Sequence, residues 1–237
     1  MRIAGNSRNN SLASASREFM RESVEAKYSY NFSWLGRPII QYPQDVVALQ
    51  QIVWEIKPDL VVETGIAHGG SLILWSSLLE LNAMCGGPDD AMVVGIDIEL
   101  RAHNRQAIEE HPLSSRVTLV DGSSIAPEVV DTVNQIAVNR STVLVCLDSN
   151  HTHDHVLAEL EAYSGLVTEG SYCIVFDTIV ETMPEGTYPD RPWSVGNNPM
   201  TAVETFLEGH PEFSVDHKVD SRLMLTAAPG GFLRRNT

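Results

Sequence analysis

The chain has 237 residues, 43% of them apolar and 20% charged, which supports one globular domain with its own core and excludes wholesale disorder and fibrous folds. Sixteen Lys and Arg stand against 31 Asp and Glu, a formal charge of −15; with no basic cluster beyond Arg234-Arg235, a nucleic-acid surface is excluded. The three cysteines, Cys85, Cys146 and Cys173, are too widely spaced for a disulfide framework or a zinc motif and read as reduced thiols, the last two in buried strands.

Residues 1–16 are rich in Ser, Asn and Arg without an apolar period, which predicts a frayed start followed by a helix. The first 20 residues lack an apolar h-region and no 18-residue apolar stretch exists, so a cytoplasmic protein with no membrane partner is expected. Over 45–57, Val46, Leu49, Ile52, Val53 and Ile56 share a helical face, with Asp45 as N-cap and Pro58 as the stop. Strands at 60–63, 92–97, 117–120, 142–148 and 172–177 then alternate with helices at 69–83, 101–110, 126–138 and 153–167. Short unbroken apolar runs between amphipathic helices predict a doubly wound, mostly parallel α/β sheet. Residues 178–198, with three prolines and two glycines, read as a long loop over the site. A helix at 201–208 and strands at 213–217 and 222–226 follow, the last two as an antiparallel C-terminal hairpin.

The chemistry concentrates where strands end. Glu63-Thr64-Gly65-Ile66-Ala67-His68-Gly69-Gly70-Ser71 carries an apolar strand through a glycine turn into a helix. Ligands of parallel sheets bind at such edges, where glycine admits the backbone close to the ligand and a helix start offers free N–H groups. The spacing is neither the dinucleotide-binding pattern nor a P-loop. Glu63 suits a cationic ligand and repels a pyrophosphate, with a solvated strand terminus as its plainer reading. Asp97 ends the next strand, where a carboxylate takes ribose hydroxyls, and Asp121-Gly122-Ser123 ends the one after, where an adenine edge would lie; a plain Asp-Gly turn is the alternative there.

The run from Glu63 through Asp97 to Asp121 resembles the S-adenosylmethionine site of class I methyltransferases. More closely, PDLVVETGIAHGGS, VVGIDIELRAHNR, LVDGSS, LDSNHTHDHVLAELEAYSGLV, GSYCIVFDT and PGGFLRR resemble the cephalosporin hydroxylase family, which includes rhamnosyl and macrolide-sugar O-methyltransferases, over residues 38–235. The resemblance implies a seven-stranded Rossmann-like sheet with a reversed last hairpin, S-adenosylmethionine as methyl donor, Mg²⁺, and a homo-oligomer. The donor would contact Glu63, Thr64, Gly65, His68, Gly69, Ser71, Asp97, Asp121, Gly122, Ser123 and Asp148. Residues 1–37 would then be a partly flexible, helical N-terminal extension, and 38–237 the methyltransferase domain.

Methyl transfer to an alcohol needs a base or a metal, because the hydroxyl is a weak nucleophile at neutral pH. Asp148 and His151 supply candidates; in sugar O-methyltransferases that this segment resembles, the D-x-x-H pattern places Asp on the metal and His as general base. Asp177 would complete a metal site with Asp148. Relatives often carry Glu-Asp where this chain has Phe176-Asp177, so one carboxylate is missing, with waters and Asn150 or Thr178 as replacements. His153 is a weaker candidate, His155 reads as solvent-exposed, and His68 is either a donor contact or a loop histidine. Tyr42, Trp193, Asn197 and Asn198 are candidates for a sugar acceptor or for packing.

The expectation is therefore an S-adenosylmethionine-dependent O-methyltransferase acting on a small natural product or its sugar, as in antibiotic biosynthesis. Two rivals are a non-catalytic S-adenosylmethionine-binding module and an iron-dependent hydroxylase, the latter at odds with strand–helix alternation.

Overall fold

The N-terminal segment is ordered earlier than its composition predicts. In a computed structural model describing residues 2–6 and 8–236, helix α1 spans Arg2–Asn6 and α2 spans Asn10–Glu25. The Asn9 side chain accepts from Leu12 N at 3.1 Å, capping α2 at its first turn and overturning the frayed start expected through residue 16. A hairpin of β1 (Phe32–Trp34) and β2 (Arg37–Ile39) follows, unforeseen because each strand is three residues long. Its turn, Leu35-Gly36, has positive φ at both residues, 44° and 88°, which suits a tight two-residue hairpin.

Helix α3 (Pro43–Ile56) begins two residues before the expected cap, with Pro43 in its first turn. Asp45 is instead buried and accepts from Ala227 N at 2.9 Å, tying the helix to the C-terminal segment. The main sheet is then built from β3 (Leu60–Thr64), β4 (Met92–Asp97), β5 (Val117–Asp121), β6 (Val143–Leu147), β7 (Tyr172–Val175), β8 (Phe213–Val215) and β9 (Phe232–Arg235), in the order β5-β4-β3-β6-β7-β9-β8. The first five are parallel; β9 is antiparallel to both β7 and β8. Every residue of β3 and β6 is buried, as expected of central parallel strands covered on both faces.

Helices α4 (Gly70–Met84), α5 (Ala102–Glu109), α6 (Pro127–Ala137), α7 (His153–Tyr163), α8 (Pro199–Gly209) and α9 (His217–Leu223) complete the chain. One face of the sheet, with Val61, Cys146, Ile174 and Phe232, packs on α3 and α4; the other, with Val62, Val145, Val175 and Leu233, packs on α6, α7 and α8. The cysteines are free, with Cys146 and Cys173 buried in strands. No helix of the described residues is long and apolar enough to cross a membrane.

The last strand is displaced from its expected place. Residues 217–223 are helical because the Asp216 side chain accepts from Lys218 N at 3.0 Å, and Met224 at φ 61° ends the turn. The antiparallel strand forms at Phe232–Arg235, after Gly231, where a Cβ would lie 2.1 Å from the Val175 carbonyl oxygen. Only glycine lets the two backbones meet there.

Candidate active site

The ends of β3, β6 and β7 converge on a cavity of about 1150 Å³. Its wall on the β3 side is the glycine turn. Gly65 has φ 87°, and a Cβ there would sit 2.1 Å from the Asp148 carbonyl oxygen, so glycine is required for the ends of β3 and β6 to touch. Thr64 joins the same two ends, its carbonyl accepting from Asp148 N at 3.0 Å. Gly69, at φ 81°, would drive a Cβ to 2.5 Å from Ile108. His68 and Ser71 line the cavity together with Gly65.

Glu63 is turned away from it. Its carboxylate accepts from Ser71 Oγ at 2.9 Å and from Trp75 Nε1 at 3.1 Å, and it is not among the cavity-lining residues. Burial pushes its carboxyl up to about 7, against the lowering effect of those two donors. Asp97 lies beside the turn rather than in the cavity wall: Oδ2 accepts from Ile66 N at 2.9 Å and Ala67 N at 3.4 Å, and Oδ1 from Glu99 N at 2.9 Å. Asp121, its register partner on β5, is largely exposed and pairs with Arg105. Gly122 N donates to the Asp97 carbonyl at 2.9 Å, and the Ser123 carbonyl accepts from Ala126 N at 2.9 Å. These two residues and Asp121 also lie outside the cavity wall.

The ends of β6 and β7 gather the chemistry. Asp148 follows β6, and its Oδ2 accepts from Gln41 Nε2 at 3.2 Å. Burial first, and the Asp177 charge second, push the Asp148 carboxyl well above the usual carboxylate range. His151 Nε2 lies 3.0 Å from Asp177 Oδ2. Asp148, His151 and Asp177 each offer a ligand atom, all within 4.8 Å of one another. Asp177 holds a left-handed backbone, φ 55°, as the chain leaves β7, a conformation aspartate tolerates and one found at sites that aim a side chain.

The long loop does reach this cluster. Residues 178–182 form a short 3₁₀ turn, Pro184 to Arg191 and Trp193 line the cavity, and the Trp193 ring meets His151 edge-on with centroids 4.7 Å apart. The Arg191 guanidinium lies 5.1 Å over the Trp193 ring.

Several other expectations change. Tyr42 lines the cavity as expected but is largely buried, sharing a 2.9 Å hydrogen bond with Ser23 Oγ and packing beside Tyr28. Asn198 caps α8, and Asn197 Oδ1 accepts from His153 N at 3.0 Å, so both amides are spent holding the loop to α8 and α7. Asn150 Oδ1 accepts from Thr152 N at 2.9 Å, and Thr178 Oγ1 donates to the Pro229 carbonyl at 2.8 Å, which commits both proposed extra ligands elsewhere. His153 Nδ1 pairs with Thr201 Oγ1 at 2.8 Å. His155 is only partly exposed: Nε2 lies 3.1 Å from Ser124 Oγ and 3.4 Å from the fully buried Glu159. Gln41 was missed, since a lone glutamine before a helix carries no spacing signal, as was the wall contributed by the α2–β1 segment, including Tyr30.

A mostly parallel seven-stranded sheet with a reversed last hairpin, carrying a glycine turn at a central strand end, defines a class I methyltransferase. Residues 26–236 match the family model described as Rhamnosyl O-methyltransferase/CmcI. The chain belongs to that family and is an S-adenosylmethionine-dependent O-methyltransferase. A rhamnosyl O-methyltransferase of Mycobacterium tuberculosis H37Rv is 28% identical over 194 residues, 81% of this chain and 73% of that protein. One from Mycobacterium leprae is 24% identical over 205 residues, 86% and 82% of the two chains. The fold is shared with the solved structure named cmcI-D160 Mg-SAM, at TM-score 0.60 and 19% identity over 88% of this chain and 78% of that one. It is also shared with an O-methyltransferase from Bacillus cereus in complex with SAH, at TM-score 0.50 and 17% identity over 85% and 82%.

Proposed function

We propose that this chain methylates a hydroxyl of a small glycoside, a rhamnosyl residue being the acceptor class suggested by its relatives' names, and that Mg²⁺ assists. The observation that carries the reading is the Asp148–His151–Asp177 cluster lining one cavity together with the glycine turn. The sulfonium of S-adenosylmethionine supplies an electrophilic methyl group. As the acceptor oxygen forms its new bond to carbon, the carbon–sulfur bond breaks and its electron pair stays on sulfur. The hydroxyl proton passes to His151, whose Nε2 is oriented by Asp177, leaving Nδ1 as the base.

The donor set fits Mg²⁺. Asp148 and Asp177 offer hard oxygens, and no Lys or Arg of the described residues pairs with either. Held there, the ion would acidify the acceptor hydroxyl. His151 serves as base with or without it.

Donor placement follows the same reading: Gly65, His68, Gly69 and Ser71 against the methionine end, Asp97 at the ribose, and Asp121-Gly122-Ser123 toward the adenine. Asp97 keeps one of about four lone-pair sites free after its three N–H partners, enough for one ribose hydroxyl. Glu63 and Thr64 act from behind, Glu63 through Ser71. Trp193 offers the acceptor an aromatic edge. The division into an extension over 1–37 and a methyltransferase domain over 38–237 with loop 178–198 above the site belongs to this reading. So do a cytoplasmic homo-oligomer and a place in secondary-metabolite or antibiotic assembly.

Family membership sets the hydroxylase reading aside, and the intact His151–Asp177 pair argues against a non-catalytic module. The test is S-adenosylhomocysteine release with a simple rhamnoside, with and without Mg²⁺. Acceptor-dependent release supports the reading. Donor binding without release across a broad panel of sugar hydroxyls would return the binding module.

A further inference from the structure

The glycine turn is held from outside the main sheet by two side chains that the donor reading does not use. We propose that Arg37 of β2, together with Asn104 of α5, is a positioning residue for S-adenosylmethionine, and that hairpin β1–β2 is a brace that sets the turn in its donor-binding form. The inference rests on reading the turn as the donor site.

The Arg37 guanidinium donates to the His68 carbonyl from Nε at 3.1 Å and from Nη2 at 2.5 Å, and Nη2 also donates to Asn104 Oδ1 at 3.1 Å. Asn104 is buried and its Nδ2 donates to the Ala67 carbonyl at 2.9 Å. A trans peptide points its C=O and N–H in opposite directions, so fixing these two carbonyls also fixes the N–H groups of His68 and Gly69. Gly69 N–H turns back to the Ile66 carbonyl at 2.8 Å, whereas His68 N–H has no acceptor among the described residues. Ala67 sits at φ 46°, a left-handed conformation an unsupported alanine would leave. The planar fork of Arg37 holds two acceptors in a fixed geometry that a lysine's flexible point charge does not reproduce.

The brace is itself anchored. Trp34 Nε1 donates to Ser77 Oγ of α4 at 2.9 Å, the Leu35 carbonyl lies 3.1 Å from His111 Nε2, and a Cβ at Gly70 would meet the Pro38 carbonyl at 2.2 Å. The hairpin therefore touches both helices that flank the turn.

The experiment measures S-adenosylmethionine affinity by calorimetry and donor kinetics for the whole chain and for Arg37→Ala, Arg37→Lys and Asn104→Ala. Arg37→Ala should raise donor Kd and KM about tenfold, with kcat at saturating donor within about twofold; Arg37→Lys should fall between it and wild type. Amide exchange of residues 65–70 should quicken in Arg37→Ala while that of β6 stays as in wild type, which a general loss of stability would not produce. If Arg37→Ala fails to fold, Arg37→Lys and Asn104→Ala carry the test. Wild-type donor affinity in a folded Arg37→Ala protein, or a loss of kcat with affinity intact, would overturn the proposal. A wild-type chain that does not bind S-adenosylmethionine would instead overturn the donor reading itself.

Discussion

Replacing Glu63 by glutamine should change how stability depends on pH. The carboxyl is buried, with an ordinary value of 4.5 raised to about 7. Its proton is therefore held more tightly in the folded chain than in the unfolded one. The stability this contributes is complete below about pH 4.5 and is lost as pH rises toward 7. At about 1.4 kcal/mol per pH unit, the rise is worth about 3 kcal/mol. An amide at this position cannot titrate, so between about pH 4.5 and 8 the Glu63→Gln protein should gain about 3 kcal/mol relative to wild type, whatever fixed cost the new amide adds beside Trp75 and Ser71. Asp45, also raised to about 7 by burial, titrates in both proteins and cancels from the difference. Denaturant titrations at several pH values read that difference directly. A gap between the two proteins that stays constant within about 0.5 kcal/mol across the window would refute the reasoning, since it would mean that Glu63 is not desolvated.

Gly65→Ala combines a positive φ with a Cβ 2.1 Å from the Asp148 carbonyl and should cost about 2 to 5 kcal/mol of stability, read as a fall in Tm; an unchanged Tm would mean that the ends of β3 and β6 do not abut. His151→Ala should lower kcat about 10²- to 10⁴-fold with donor Kd little changed, and a rate within about threefold of wild type would remove it as the base. Exhaustive EDTA treatment should slow turnover and Mg²⁺ should restore it; full activity without metal would leave His151 and Asp177 to act alone.

The fold was legible because its central strands are buried on both faces. Val61 and Val62 point to opposite faces of the sheet yet both are fully buried, so an unbroken apolar run marked β3, as it marked β6 in Val143–Leu147. The run Arg222–Thr226 failed the same logic. Its Leu223 and Leu225 pack against the core from a helix and the turn after it, and short apolar runs do not distinguish the two states. The hairpin left only the Leu35-Gly36 turn as a trace.

At the site, Asp148, His151 and Asp177 could be found because strand ends in a parallel sheet converge, so acids there become neighbours. What could not be read was where each side chain spends its hydrogen bonds. Glu63 faces Trp75 twelve residues on, Asp97 holds the glycine turn, and Tyr42 pairs with Ser23. Such pairings depend on tertiary packing, and no spacing rule encodes them. His155 looked exposed because its helix start is polar, yet it packs on Glu159 and Ser124.

The reaction is defined by where the methyl group goes. With isotope-labelled S-adenosylmethionine, Mg²⁺ and a rhamnoside acceptor, NMR of the product should show one new methoxy signal on the sugar ring, growing in step with S-adenosylhomocysteine. Labelled methyl found on carbon or nitrogen, or S-adenosylhomocysteine accumulating with no methoxy signal, would contradict it.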